Sequence, residues 1–358
     1  MPSLKEIKGR INSISSTLAI TSAMKMVAAA KLQKAQMAIQ NMLPYERRLH
    51  SMLIDLMGAM NISATASEDG SVRGSGSAER GFDQSGDRLS LSNRHDLAGM
   101  DGAYSLMAQR EVRKVAIVAF ASNSSLCGAF NSNAIREATA VINEYRASGL
   151  RDSDIVVYSV GRKMAEAMRK LGFPSPADFT KMSDSPSYEA ASALAQELLD
   201  GFVSGRFDKV ELVYNHYKST SSQPTTRQTY LPLSLADATA DLQAGKITDS
   251  ASETDTNRVA EPVGAPVVRQ GSPTTEDLIV EPSKEALIAT LLPKVIRLRI
   301  FTTLLDSAAA EHAARTVAMQ LATDNGNDLL QELTLEYNKG RQQKITSEIL
   351  DLVGGSMQ

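Results

Sequence analysis

The sequence predicts an α/β protein in which two long terminal helices form an antiparallel coiled coil, with a small α/β domain between them. Apolar residues recur at helical spacing near both ends, short apolar runs alternate with helical segments in the middle, and two stretches rich in Gly, Ser and Asp interrupt the pattern. The predicted parts are an N-terminal shaft helix (1–62), a flexible insertion (63–102), a central α/β domain (103–235), an insertion and linker (236–282) and a C-terminal shaft helix (283–358).

The N-terminal helix is predicted from a seam of apolar residues alternately three and four positions apart, the a/d spacing of a coiled coil. Ser3 and Glu6 have the spacing of a capping box, so we expect the helix to begin there. Pro44 is expected to break or kink it. The seam consists of Leu4, Ile7, Ile11, Ile14 and Leu18, and it continues less regularly through Met24, Val27, Leu32, Ile39, Leu43, Leu49, Met52 and Leu56.

The middle of the chain is predicted to alternate strands with helices. The strands are expected at Lys114–Phe120, Ile155–Val160, Val210–Tyr217 and Thr226–Pro232. The helices are expected from Asn131 or Ser132 to about Ser148, from Arg162 to Leu171 and from Tyr188 to Phe202. This alternation is typical of a Rossmann-like α/β domain. The two insertions have a composition that cannot form a core, so we expect them to be mobile on its surface.

The C-terminal helix is predicted to be the longest element of the chain. Ser283 is expected to cap its start, and no proline follows Pro293, which either kinks the helix or begins it. From Pro293 to the end, such a helix would be on the order of 100 Å long. It needs a partner, which the N-terminal seam offers. Its apolar face consists of Leu287, Leu291, Val295, Leu298, Phe301, Leu305, Met319, Leu329, Leu333, Tyr337, Ile345, Ile349 and Leu352.

Composition excludes several classes of protein. The formal net charge is −3, Trp is absent and aromatic residues are 5%, so nothing indicates a stacking platform for nucleic acid. The charge is uneven, with eight basic against three acidic residues in 1–57, so this basic helix is either solvated or faces an acidic partner. A single cysteine fits a reducing compartment. Without a signal peptide or a membrane span, we expect a protein that is cytosolic or peripheral to a membrane.

Motifs that could carry chemistry are weak. Ser124–Gly128 follows a strand but lacks the G-x-S-x-G pattern, and Cys127 is more simply a buried packing residue than a nucleophile. Gly161–Lys163 lacks both common phosphate-loop patterns, and the four histidines are scattered without metal-ligand spacing. The sequence therefore predicts no catalytic residue, no cofactor and no metal. It indicates a mechanical or interaction protein.

Four blocks, in order along the chain, resemble the gamma subunits of rotary ATP synthases. They are Lys5–Ile11 with Ile20–Lys31, Ser124–Asn131, Ala314–Met319 and Tyr337–Ile349. The resemblance implies a central-stalk rotor that has no catalytic site and turns inside the ring of alpha and beta subunits. It also implies contact with the epsilon subunit and the membrane c ring. The implied location is peripheral, on the cytoplasmic face of a bacterial inner membrane.

The resemblance also implies which side chains meet the partners. Residues expected to contact the beta subunit are Met24, Lys25, Arg315, Arg341, Gln342, Thr346 and Glu348. Glu281 stands where the family has an acid that faces the c ring. Two other functions remain open from the residues alone. One is a coiled-coil scaffold with an α/β module, and the other is a small-molecule enzyme located in the central domain.

Overall fold

The structure is a computed structural model that describes residues 3–59, 106–233 and 283–356. Both predicted insertions, together with Glu281, lie outside the described residues. The helices are α1 (Leu4–Ala59), α2 (Phe130–Ala147), α3 (Arg162–Lys170), α4 (Thr180–Asp184), α5 (Tyr188–Val203) and α6 (Lys284–Ser356), with a 3₁₀ turn at Asp152–Asp154. The strands are β1 (Val115–Phe120), β2 (Ile155–Val160), β3 (Lys209–Asn215) and β4 (Thr225–Leu231).

The four strands form one sheet in the order β2-β1-β3-β4. β1 pairs in parallel with both β2 and β3, and β4 runs antiparallel along the outer side of β3. β1 is buried on both faces along its whole length, as expected of a central parallel strand with helices on each side. All four predicted strands are therefore present, each within two residues of its predicted ends.

The two faces of the sheet are covered differently. Helices α2 and α3 pack on one face, where Val115 and Ile117 of β1 meet Val141 and Met164. The opposite face carries the larger core, which joins the sheet to α5 and to parts of both shaft helices. The C-terminal end of α1 and the N-terminal end of α6 are thus part of the domain's own hydrophobic core, and the shaft is not a separate rod attached to it. Burial of this kind is the main force that holds such layers together.

The two terminal helices are continuous where they are described. The Ser283 Oγ accepts from the backbone N–H of Ala286 at 3.2 Å and caps α6, as predicted. Pro44 lies inside α1 and Pro293 inside α6, so of the two alternatives stated for each, a break at Pro44 and a helix start at Pro293 are wrong. Packing of the flanking turns against the sheet and the partner helix outweighs the backbone hydrogen bond that a proline removes.

The seam prediction is right near the N-terminus and fails at single positions further along. Ile7 is buried and the other four seam residues are half-buried, whereas Val27 and Met52 are 57% and 45% exposed. Helix α2 begins after Ala129, so neither Asn131 nor Ser132 is its cap. Instead, the Asn131 Oδ1 accepts from the backbone N–H of Ser122 at 3.0 Å and ties α2 to the end of β1.

Candidate partner-contact surface of the shaft

Helices α1 and α6 pair antiparallel, and their register is fixed by direct contacts. Thr323 Oγ1 donates to Thr21 Oγ1 at 3.1 Å, and Thr302 Oγ1 donates to Glu46 Oε1 at 3.1 Å. Near the N-terminus of α1, Leu4 packs against Gly340. As the contacts move toward the C-terminus of α1, they move toward the N-terminus of α6. This is the antiparallel arrangement that the sequence predicts.

The C-terminal end of α6 projects beyond α1. Since Gly340 lies opposite Leu4, the described residues 341–356 extend past the first turn of α1. Every side chain from 341 to 350 is exposed. Apolar members of this projecting tip are Ile345, Ile349, Leu350, Leu352 and Val353, which are between 48% and 74% exposed. Large exposed apolar patches mark surfaces that another molecule covers.

Four predicted contact residues lie on the projecting tip. The Thr346 hydroxyl donates to the Gln342 backbone carbonyl at 2.9 Å, and Glu348 faces Lys344 at 3.8 Å. Arg341 and Gln342 are exposed. Among the residues that the structure describes, these side chains interact only within the helix or face solvent, so they present donors and acceptors to a partner. An exposed pair such as Glu348 with Lys344 contributes little to the stability of the helix.

Arg315, a fifth predicted contact residue, is 8% exposed and has partners within the chain. Its guanidinium donates to the Ser125 carbonyl at 2.7 Å, to the Ser124 hydroxyl at 2.8 Å and to Glu311 Oε1 at 2.6 Å. These bonds leave two of the five guanidinium N–H donors for other acceptors. Burial raises the pKa of the Glu311 carboxyl, and the hydrogen bond from Arg315 opposes that rise.

Met24 and Arg315 line one cleft between the shaft and the central domain. The cleft has a volume of about 330 Å³, and the ionisable residues on its walls are Lys31, Asp184, Glu311, His312 and Arg315. Burial, and then the charges of Lys31 and Arg315, lower the pKa of His312 to about 4, so this imidazole is neutral at pH 7. Because Lys31 and Arg315 are basic and Asp184 and Glu311 are acidic, the cleft offers partners for groups of either charge. No sequence pattern singled out Lys31, Asp184 or His312. The spacing of four between Glu311 and Arg315 is the one local signal.

Lys25, the remaining predicted contact residue, reaches across the coiled coil. Its ammonium donates to the Gln320 Oε1 at 2.5 Å, and the Gln320 amide donates to both carboxylate oxygens of Asp324. Lys25 therefore stabilises the pairing of α1 with α6. The structure brings Met24, Lys25 and Arg315 into one region. It places the tip residues about 40 Å away, since 26 residues of helix separate Arg315 from Arg341.

The weak chemical motifs have structural roles. Cys127 is 1% exposed and packs with Phe130 and Ala310. Gly161 has a φ of 99°, and a Cβ atom there would lie 2.0 Å from the Ala121 carbonyl oxygen. Only glycine allows the ends of β1 and β2 to approach so closely. Within the described ranges, no group of three or more His, Cys, Asp or Glu residues could hold a metal ion. No described helix is both long and apolar enough to cross a membrane.

Comparison with known proteins agrees with this architecture. A family model described as ATP synthase matches residues 3–357. The ATP synthase gamma chain of Phocaeicola vulgatus is 47% identical over 357 residues, and that of Bacteroides thetaiotaomicron is 44% identical over 358 residues. Both alignments cover 100% of each chain.

Solved structures share the fold at low identity. A rotor chain of the Euglena gracilis mitochondrial ATP synthase is 17% identical with a TM-score of 0.51, covering 96% of this chain and 98% of that one. A chain from another rotational state has a TM-score of 0.52 at 17% identity, covering 99% and 93%. Because the family match spans nearly the whole sequence and the bacterial relatives align end to end, the chain belongs to the ATP synthase gamma chain family.

Proposed function

We propose that this chain turns inside the alpha–beta hexamer of an ATP synthase and couples ion flow through the membrane c ring to ATP synthesis. The chain is the gamma subunit of the central stalk and has no catalytic site of its own. The observation that carries the coupling proposal is the projecting tip of α6, whose large apolar side chains are exposed and which extends past the first turn of α1. The surrounding alpha and beta subunits would cover this exposed surface.

The tip has the chemistry of a sliding contact. Its polar side chains Arg341, Gln342, Thr346 and Glu348 are exposed, so they can meet partner groups without leaving a buried donor unsatisfied. Arg341 and Thr346 are five positions apart and so cover a broad helix face rather than a single stripe. Such a face can meet different beta subunits in turn during rotation.

The cleft near the central domain is the second proposed beta contact. A loop of the beta subunit would enter it beside Met24 and meet the two remaining N–H donors of Arg315. Lys31 on the cleft wall adds a positive charge that suits an acidic loop. Lys25 would act there mainly by holding α1 against Gln320.

The other partners and the location complete the proposal. The central domain would face the epsilon subunit and the c ring, with Glu281 near the ring. The protein would be peripheral, on the cytoplasmic face of a bacterial inner membrane, because bacterial gamma chains align with it end to end. The insertions 63–102 and 236–277 would be surface additions to the central domain. No observation favours a scaffold unrelated to energy coupling.

The test is the double variant Gln342→Ala with Thr346→Ala, in the reconstituted enzyme. Both side chains are exposed and Ala favours helix, so the shaft should stay folded. ATP hydrolysis should slow and ATP-driven ion pumping should fall further. Lys339→Ala with Glu332→Ala, also on exposed positions of α6, is the matched control and should change neither rate. Normal hydrolysis and pumping in the test variant would contradict the contact assignment.

A further inference from the structure

The sheet order of the central domain predicts where such a domain would bind a ligand. Strand order reverses between β1 and β3, because the chain goes from β1 outward to β2 and then returns across β1 to β3. In open α/β sheets, ligands bind at the carboxyl ends of the strands beside such a reversal. Here the segments that leave these strand ends are Ala121–Ala129 after β1 and His216–Pro224 after β3.

In this chain the first of these segments holds helix α6. The Ser124 hydroxyl and the Ser125 carbonyl accept from the Arg315 guanidinium at 2.8 and 2.7 Å. Beside this contact, and N-terminal to Arg315 on α6, Ala310 packs with Cys127, and both residues are 1% exposed or less. The partners in the hydrogen bond between Arg315 and Ser125 are 190 residues apart in sequence.

The second segment holds α6 at Asp306, about two and a half turns before Arg315. Asp306 Oδ2 lies 2.6 Å from the His216 Nδ1, and Asp306 Oδ1 accepts from the Tyr217 backbone N–H at 2.9 Å. The Tyr217 hydroxyl in turn accepts from the Gln36 amide of α1 at 2.6 Å. Both shaft helices are therefore bonded to the carboxyl end of β3.

Little space remains between the ends of β1 and β2 and helix α6, whereas the cleft of about 330 Å³ opens beside Ser124 and Arg315, toward α1. The cavity among Phe120, Ala121 and Val160 on the strand side and Leu304, Ser307 and Glu311 on α6 has a volume of about 10 Å³. That is enough for about one water molecule. Small residues of α6 allow this close approach, since Ser307 and Ala308 line the cavity and Ala310 packs against Cys127.

From these contacts we propose that the strand-end crevice of the α/β domain is a socket for the chain's own helix α6. Asp306 and Arg315 are the positioning residues that fix the angle of the shaft relative to the domain. This inference rests on the proposed rotor function, since a fixed angle is what lets torque pass between the domain and the shaft. It also gives the domain a role that needs no small-molecule ligand.

The test uses the full chain assembled in the ATP synthase and the variant Asp306→Ala. The Tyr217 amide loses its acceptor, so its hydrogen exchange should become about tenfold faster or more. A tenfold change corresponds to about 1.4 kcal/mol, close to the range for a hydrogen bond to a charged group. In a rotation assay with the hexamer held fixed, a probe on the central domain should show wider angular fluctuations than in the wild type.

Two further variants keep the inference falsifiable. His216→Ala removes the imidazole, which is half-exposed, and it decides the question if Asp306→Ala does not assemble. Its angular fluctuations should also widen. Asp152→Ala removes a carboxylate bonded to Arg146 just before β2, at the opposite end of the sheet, and should change neither measurement.

Normal hydrogen exchange at the Tyr217 amide and normal angular fluctuations in Asp306→Ala would overturn the inference. Normal angular fluctuations in His216→Ala would do the same, as would changes in Asp152→Ala as large as those in Asp306→Ala. Failure of the proposed function has a different signature. Coupling would then be normal in the Gln342→Ala, Thr346→Ala variant, whereas Tyr217 exchange reports on the socket independently of coupling.

Discussion

Three glycines on the shaft give a direct test of how α1 and α6 are paired. A Cβ atom at Gly326 would lie 2.7 Å from Leu18 Cδ2 and 3.2 Å from its Cγ. A Cβ at Gly340 would lie 3.1 Å from Leu4 Cδ2, and a Cβ at Gly9 would meet nothing within 4 Å. All three positions are inside helices, so replacement by Ala removes the same cost of glycine in each.

The expected changes differ because only two of the sites face the partner helix. Gly9→Ala should stabilise the shaft by about 1 kcal/mol, the usual helix gain. At Gly326 the new methyl group must displace Leu18, and overpacking typically costs about 1–3 kcal/mol. Leu18 is half-buried and can turn outward, so the lower end of that range applies and the gain is cancelled. Gly340→Ala should fall between the two.

The measurement is urea unfolding of the full-length chain, followed by far-ultraviolet circular dichroism. The difference between Gly326→Ala and Gly9→Ala cancels the helix propensity and reports the contact with Leu18. A second variant, Gly326→Val, should widen the difference because a branched side chain cannot fit beside Leu18. If Gly326→Ala stabilised the chain as much as Gly9→Ala, the register described above would be refuted.

Two other predictions concern buried ionisable side chains. Burial, then the charge of Arg299, lowers the pKa of His50 from 6.5 to about 4, so the fold binds this proton less readily than the unfolded chain does. Stability should therefore fall as the pH drops from 7 toward 4, by roughly 2 kcal/mol at pH 5, and His50→Gln should flatten that dependence in urea titrations. Glu211 is 1% exposed and bonded to Tyr145, Lys209 and Arg227, so Glu211→Ala should cost about 3–5 kcal/mol in the same assay. The exposed neighbour Glu144 also pairs with Arg227, and Glu144→Ala should cost less than about 1 kcal/mol; equal losses would show that burial of Glu211 is not decisive.

The sequence was sufficient for the elements and for the family, because both depend on local patterns. The period of apolar residues near Ile7 and Ile11 predicted a coiled-coil seam, and the uninterrupted run at β1 predicted a buried central strand. The short helix α4 was missed, since five residues are too few to show a helical period. Val27 and Met52 were placed on the seam wrongly, because the adjacent residues Ala28 and Leu53 take the buried positions.

Only the tertiary structure decided which residues contact each other and which remain exposed. The tip of α6 shares its apolar spacing with the rest of the helix. Nothing in the local sequence of the tip shows that the first turn of α1 lies opposite Gly340. Likewise, Arg315 lies in a recognisable motif, but its bonds to Ser124 and Ser125 join segments about half the chain apart. A sequence period fixes the face on which a side chain lies, whereas the partner depends on the lengths and angles of elements that fold together. That difference is why the shaft was predictable and its socket in the sheet was not.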